Sequence, residues 1–451
     1  MPRVASNGVT RLFRLFQSLG ELRQRLYESN ASRRLIANAA WLVADKLGRL
    51  GVGMVVLVWT ARYLGPEAFG LFNYGQALVV IFTAFAAMGM ADIVVRDIVR
   101  TPEREQEIIA SALLLRLAGG VMAMAMAMAM VAVVRPGDLR ALLIVAILAS
   151  ALVPQAFDVI DYRFQAHMMV RPVVILRNAT FLLFAALKCL AIVLKATLPV
   201  FAALTAGELA MVAVLLIMYA RRHGLSVHPR CASGAEAQRL WGECWALLIR
   251  TFAIAAYMRT DQVMLAYFRG DAQVGLYAAA IRLPELWYFL PTAVMTAAIP
   301  ILARSYTRSQ ADYERNILRV MRPLVWLSVV VAAVLSLFAE PIIMLLYGPA
   351  YAGAGEVLAI YSWAGVFGTL GLTTNSWLIN AGLMRYGLYQ ALAGLAVSIA
   401  LNAMLIPTLG IVGAAWSYLG AQCLSTFAIN LAFRPTRAIF RGQLRTFGFP
   451  V

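Results

Sequence analysis

The chain has 451 residues, of which 62% are apolar and 14% charged, against about 45–50% and about 25% in soluble domains. That excess of apolar surface has to face lipid, which excludes a disordered chain, a secreted disulfide scaffold and an ordinary soluble enzyme. The net charge of +17, from 39 Lys+Arg and 22 Asp+Glu, lies between the apolar runs and therefore points to membrane topology rather than to nucleic acid.

In chain order, residues 1–34 come first and are unlike the rest. Arg3, Arg11, Arg14, Arg23, Arg25, Arg33 and Arg34 are interleaved with Leu12, Phe16, Leu19, Leu22 and Leu26 at helical spacing. This predicts a basic amphipathic helix lying on an anionic membrane surface. No continuous apolar run precedes a cleavage site, so a cleaved signal peptide is not expected. Runs of about 20 apolar residues, enough to cross the hydrocarbon as helix, then recur. They cover roughly 35–61, 71–95, 108–134, 141–157, 172–194 and 197–220, then 241–267, 274–303, 323–347, 355–381, 386–407 and 411–433. The third contains a strict Met-Ala alternation from Met122 to Met130. Both residues are helix formers, so helix is expected there rather than strand. The sequence thus predicts an all-α integral membrane protein of about twelve spans. Its parts are a segment 1–34, a six-helix lobe 35–220, a linker 221–240, a second six-helix lobe 241–433 and a basic tail 434–451.

Counted by side from the N-terminus, 26 basic residues fall on one side of the spans and 5 on the other. The positive-inside rule then predicts both termini in the cytoplasm. The two halves also resemble one another. Ala61–Leu78 and Ala266–Leu283 align at an offset of 205, matching Ala61/Ala266, Gly65/Gly270, Gly70/Gly275, Leu71/Leu276 and Leu78/Leu283. Each segment joins the first two spans of its half, which implies parallel repeats related by an axis along the membrane normal. Gly382–Gly387 repeats the glycine spacing at an inward turn, and the spacing mimics a phosphate loop, but no Gly-Lys-Ser/Thr follows.

Cys189, Cys231, Cys244 and Cys423 contain no CxxC pair, and His228 with Cys231 lacks a second ligand pair, so neither a metal nor a cofactor is expected. His167, His223 and His228 lie in or beside loops and form no catalytic set. The ionisable residues within the spans carry more information, because each is worth about 2.5–3.5 kcal/mol against insertion at a helix centre. The cations are Lys46, Arg49, Arg116, Arg177, Lys188, Arg250, Arg259 and Arg282, with Asp45, Asp92, Glu208, Asp261 and Glu285 as acidic companions. Lys188 and Arg250, near span ends, are expected to snorkel to the interface. Asp45 with Arg49 and Arg282 with Glu285 have pairing spacings on one helix face, whereas Arg259 and Asp261 diverge. Positive charge remains in excess, and in a membrane cavity it suits an anionic substrate. Lys46, Arg49, Arg116, Arg177, Arg259 and Arg282 are the substrate-binding candidates. Asp45, Asp261 and Glu285 are the candidates for charge balance or ion coupling. Pro284, Pro291 and Pro300 in the eighth span and Gly365, Gly368 and Gly371 in the tenth permit bends and close approach.

Several segments resemble the Wzx-type polysaccharide flippases. They are Asn38–Trp41, Ala61-Arg62-Tyr63-Leu64-Gly65-Pro66-Glu67 to Gly70, Gly89 and Asp92 to Arg96, Asp261 with Gly275–Arg282, Ile299-Pro300 and Leu346-Tyr347-Gly348 to Tyr351. The resemblance covers nearly the whole chain. It implies the superfamily that includes multidrug exporters and the lipid II flippase, with two six-helix lobes around a central cavity. It further implies transfer of an undecaprenyl-pyrophosphate-linked oligosaccharide across a bacterial cytoplasmic membrane by alternating access. It carries functional roles to Asp261 and Arg282 by motif position. Membrane lipids, a polysaccharide polymerase and other export components are the partners it implies. The chain stops at Val451, without the two extra C-terminal helices of lipid II flippases, which favours the polysaccharide branch. A drug antiporter on the same fold would need an acidic cavity, and a polysaccharide polymerase or ligase a large outward loop; the outward loops here are short.

Overall fold

The computed structural model describes the backbone of residues 30–224 and 231–448, and side chains from residue 48 onward. The predicted amphipathic helix at 1–34 therefore lies almost wholly outside the described residues. The chain divides into two compact units, Met1–Val55 and Val56–Val451. In the first, residues 30–55 are helical.

Among the described residues every regular element is a helix. In chain order they are α1 (Asn30–Ala87), α2 (Ala91–Arg100), α3 (Glu105–Val134), α4 (Leu139–Ala149), α5 (Val159–Ala166), α6 (Val170–Val193) and α7 (Leu198–Arg222). Then follow α8 (Gly234–Arg269), α9 (Asp271–Trp287), α10 (Phe289–Arg308), α11 (Gln310–Leu337), α12 (Ala339–Tyr347), α13 (Ala354–Asn380), α14 (Met384–Cys423), α15 (Ile429–Ala432) and α16 (Arg437–Thr446). Nine stretches among them are long and apolar enough to cross a bilayer. The 53-residue stretch Gly48–Arg100 and the 49-residue stretch Met384–Ala432 are each long enough for two crossings at about 1.5 Å per residue, and they bend at Gly65 and Gly410, where the backbone leaves the helical region. α8, at 36 residues, is long enough but is less apolar, with Arg250 and the run Arg259–Gln262 inside it. The twelve expected spans are thus accounted for. Large apolar side chains stand open along them, including Val133 at 79%, Leu345 at 77% and Met404 at 70% exposure, as lipid-facing residues should. The Met-Ala stretch is helical within α3, with Ala123 and Ala127 buried and Met122 and Met130 exposed.

The repeat read from the sequence is present in the backbone. Gly65 has φ 72°, ψ 170° and Gly270 φ 83°, ψ 176°, a conformation that favours glycine. The two copies then touch reciprocally. A Cβ at Gly70 would sit 1.7 Å from the Asp271 carbonyl oxygen, and one at Gly275 would sit 2.0 Å from that of Pro66. Residues 66 and 271 are themselves related by the offset of 205, so the contact is two-fold symmetric. The loop after the third span of each half continues the pattern. Tyr351 Oη donates to the Ala61 carbonyl at 2.7 Å, and Arg135 Nη2 donates to the equivalent Ala266 carbonyl at 3.3 Å. Arg135 also pairs with Asp271 at 2.5 Å, and Arg62 donates to the carbonyls of Leu345 and Leu346. The halves are closed against each other at this end.

Three boundaries differ from the sequence expectation. α8 starts at Gly234, inside the expected linker, because Ser233 caps it and its first turns pair with the first lobe: Arg239–Asp97 at 2.6 Å, Arg96–Glu243 at 2.7 Å and Arg104–Glu236 at 3.0 Å. Leu240, Cys244 and Leu248 belong to the first lobe's core, and α8 also packs on α14 in the second lobe. The fourth span runs on to α5 through 3-10 turns that begin at Ser150 and Pro154. The basic tail contains α16, packed rather than free: Gln443 donates to Thr374 Oγ1 at 2.8 Å and to the Thr426 carbonyl at 2.9 Å.

Candidate functional site

The second lobe holds a cavity of about 510 Å³ lined from α8, α9, α13 and α14 and the turn that follows α14. Helix proline and glycine shape it. Pro284 lies on its wall, and the helix breaks at Tyr288, between α9 and α10. Gly365 has open space where a side chain would stand. Tyr288 Oη donates to the Gly368 carbonyl at 2.6 Å, a contact only a residue without a Cβ permits, since one would lie 2.6 Å from the Tyr288 ring.

Aromatic faces form one side. Tyr361 stacks on Tyr418 with ring centroids 4.4 Å apart and an interplanar angle of 11°, and Tyr257 lies parallel to Tyr418 at 6.0 Å. Amides line the same space: Asn375, Gln390 and Gln422. Gln422 donates to Tyr418 Oη at 3.2 Å and Gln390 to Asn430 Oδ1 at 2.8 Å.

The charged groups are Arg259, Glu285 and Arg250 on the wall, and Arg282 behind Glu285. Arg259 Nη1 donates to Glu285 Oε1 at 2.8 Å, and Arg282 Nη1 to Glu285 Oε2 at 3.2 Å. One carboxylate thus joins two guanidiniums, each mostly buried. Arg282 also reaches the first lobe, donating through Nη2 to Asn73 Oδ1 at 2.9 Å and Gln76 Oε1 at 3.3 Å. It sits where the two halves meet, while its Nε is buried without a partner among the described residues. Arg250 and Arg259 on the wall and Arg282 behind it outnumber the one carboxylate, Glu285, so positive charge is in excess here.

Of the candidates from sequence, the structure brings Arg282, Arg259 and Glu285 together. The expected i,i+3 pair of Arg282 with Glu285 is present, and Arg259 and Asp261 diverge as expected. Asp261 is enclosed at 1% exposure, accepting from Tyr277 Oη and from the Gln262 N–H, and does not line the cavity. Arg116 and Arg177 lie in the first lobe, apart from this cluster. Arg116 is 2% exposed and donates to the Ala86 carbonyl at 3.1 Å, Tyr162 Oη at 2.5 Å and the Gln155 carbonyl at 2.9 Å. Arg177 pairs with Asp158 at 2.9 Å and Asp161 at 3.1 Å. Arg49 is exposed on the helix of the first unit. The side chains of Lys46 and Asp45 lie outside the described residues, and so does the expected pairing of Asp45 with Arg49.

Two expectations of snorkelling are corrected. Lys188 pairs with Glu208 at 3.2 Å, which satisfies its charge within the helices. Arg250 turns into the cavity and donates to Asn375 Oδ1 at 2.6 Å. Its role was legible only as an absence: no acid stands three or four residues away on α8, where Ala246, Leu247, Ala253 and Ile254 occur. The tyrosines were hidden because they sit inside apolar runs that read as packing.

Comparison with known proteins agrees with this architecture. At the level of fold, the chain is similar to the lipid II flippase MurJ in an inward closed conformation, with a TM-score of 0.71 at 10% identity over 90% of this chain and 91% of that one. It is equally similar to an inward-facing multidrug resistance transporter of the MATE family, with a TM-score of 0.70 at 14% identity over 89% and 95%. In sequence it is 25% identical over 178 residues to the Haloferax volcanii protein named "Probable flippase AglR", which covers 38% of this chain and 37% of that relative. The chain thus matches a little over a third of that relative's length. The MatE family matches residues 246–404, and the polysaccharide biosynthesis protein family matches residues 35–306, more than half of the chain. This all-α membrane protein therefore belongs to the polysaccharide biosynthesis protein family.

Proposed function

We infer that the protein is a flippase that carries a polyprenyl-pyrophosphate-linked oligosaccharide, undecaprenyl in a bacterial cytoplasmic membrane, from the inner to the outer leaflet for polysaccharide biosynthesis. The observation that carries this inference is the cationic cluster of Arg259, Arg282 and Glu285 where the two halves meet. A pyrophosphate esterified at both ends keeps two negative charges, and a guanidinium can grip two phosphate oxygens through parallel N–H donors. Beside it, stacked tyrosines and amides offer the faces and hydrogen bonds that sugars use. The family match and the relative named as a flippase support the same assignment.

In this account both termini are cytoplasmic, and the end closed by Gly70 and Gly275 faces outward. Alternating access then requires the symmetric contact at that end to part. Asp261 balances charge or couples an ion, and Arg116 and Arg177 serve the first lobe's own packing. No catalytic role is assigned to any residue. A polysaccharide polymerase acting on the delivered units is the partner this function needs. The MatE match favours a second assignment, a cation-coupled drug antiporter; the cationic cavity opposes it, because cationic drugs would be repelled.

Deleting the gene tests the assignment. Surface polysaccharide should be lost while lipid-linked units still form and accumulate on the inner leaflet. Units that reach the outer leaflet but stay unpolymerised would instead place the protein at the polymerisation step.

A further inference from the structure

Arg250 is a cation within a membrane-spanning helix that has no ion pair among the described residues. Among the described residues its one hydrogen bond goes to a neutral amide, Asn375 Oδ1 at 2.6 Å, and its Nε is buried with no partner there. It lines the cavity on the same helix as Arg259, nine residues away and so about 13 Å along the axis. Gly387 lies beside it: a Cβ there would be in ordinary van der Waals contact, 3.4 Å from Nη2 and 3.5 Å from Nε. An uncompensated guanidinium at this depth is expensive, and Asn375 lends it no negative charge.

We propose that Arg250 and Asn375 form a second anion-binding site in the second lobe, distinct from the Arg259–Glu285–Arg282 cluster. It takes a group with two acceptor oxygens, a phosphate of the lipid linkage or the carboxylate of an acidic sugar. The guanidinium supplies the free donors, Asn375 holds its orientation, and the tyrosine stack formed by Tyr361 and Tyr418 lines the space between this anion and the first cluster. The identity of the ligand rests on the flippase assignment; the existence of the anion site does not.

The full-length protein, purified in detergent, is titrated separately with inorganic pyrophosphate and with glucuronate, and the heat of binding is followed. Arg250→Gln should weaken binding by about tenfold or more, a charge-assisted bidentate contact being lost, while Arg250→Lys retains part of it. Weakening for pyrophosphate alone assigns the site to the lipid linkage, and weakening for glucuronate alone assigns it to an acidic sugar. Asn375→Asp keeps Arg250 but hands its guanidinium a carboxylate in place of the neutral amide, and should weaken the same anion several-fold; this variant decides the matter should Arg250→Gln not fold. Wild-type affinity in folded Arg250→Gln, or in Asn375→Asp, overturns the proposal, as does a wild-type protein that binds neither anion. If export proves independent of the gene while anion binding still depends on Arg250, the functional assignment fails and the site stands.

Discussion

The two lobes use intramembrane charge in opposite ways. In the first, Arg116 is sealed at 2% exposure with its guanidinium spent on two carbonyls, a tyrosine hydroxyl and Asp158 at 3.9 Å. Arg177 and Lys188 likewise have carboxylate partners. In the second, Arg250 and Arg259 line a cavity whose wall carries Glu285 as its carboxylate among the described residues, and Arg282 pairs with Glu285 from behind. The backbone is repeated between the halves, down to the shared conformation of Gly65 and Gly270, and the charge is not. A charge closed into its own packing holds helices together; under the proposed function the excess cations of the second lobe are held for an anionic substrate.

Substitutions at five positions sharpen that contrast, the largest expected effect first. Arg282→Ala should abolish polysaccharide export at normal amounts of membrane protein, and Arg282→Lys should restore part of it, because lysine keeps the charge but loses the fork. Arg116→Ala should act the other way. It leaves the Ala86 and Gln155 carbonyls and the Tyr162 hydroxyl without their donor, a loss of about 1–3 kcal/mol for each buried group left unsatisfied, so folded protein falls sharply while export per folded molecule is kept. Full export by Arg282→Ala together with normal folding of Arg116→Ala would erase the distinction between the lobes.

The symmetric contact makes the next prediction. Gly70→Ala and Gly275→Ala each force a methyl group into an opposing backbone carbonyl, so both should open the closed end and slow export to the same degree. Spin labels at Glu67 and Gln273, in a background without the native cysteines, should move apart equally in the two variants. An effect in one variant alone would break the symmetry. The smallest effect is expected for Lys188→Ala, whose partly buried pair with Glu208 is worth about 1 kcal/mol; export should persist, with a slight fall in thermal stability.

Much of the fold was legible because lipid makes a demanding solvent: every span must be both apolar and helical. The repeat was legible from five matching residues, since the glycines at 65, 70, 270 and 275 are fixed by backbone conformation and contact. The pairing of Arg282 with Glu285 followed from spacing on one helix. Partners on other helices were not legible, which is why Lys188 and Arg250 were misplaced and why Arg116 stood beside Arg282 as an equal candidate. Spacing along a helix reports neighbours on that helix only. The start of α8 and the packing of α16 escaped for the same reason, since both depend on groups distant in sequence: Asp97 and Arg104 for one, Thr374 and Thr426 for the other.

The central claim, that the cationic cavity in the second lobe serves an anionic lipid-linked sugar, is tested most directly in vesicles. The purified protein is reconstituted with a polyprenyl-pyrophosphate oligosaccharide, and the fraction of sugar open to an external lectin is followed in time. The account predicts that vesicles holding wild-type protein expose the sugar of the inner leaflet, and that vesicles holding Arg282→Ala behave like protein-free ones. Equal translocation by wild-type and Arg282→Ala protein, or none above protein-free vesicles by either, would contradict it.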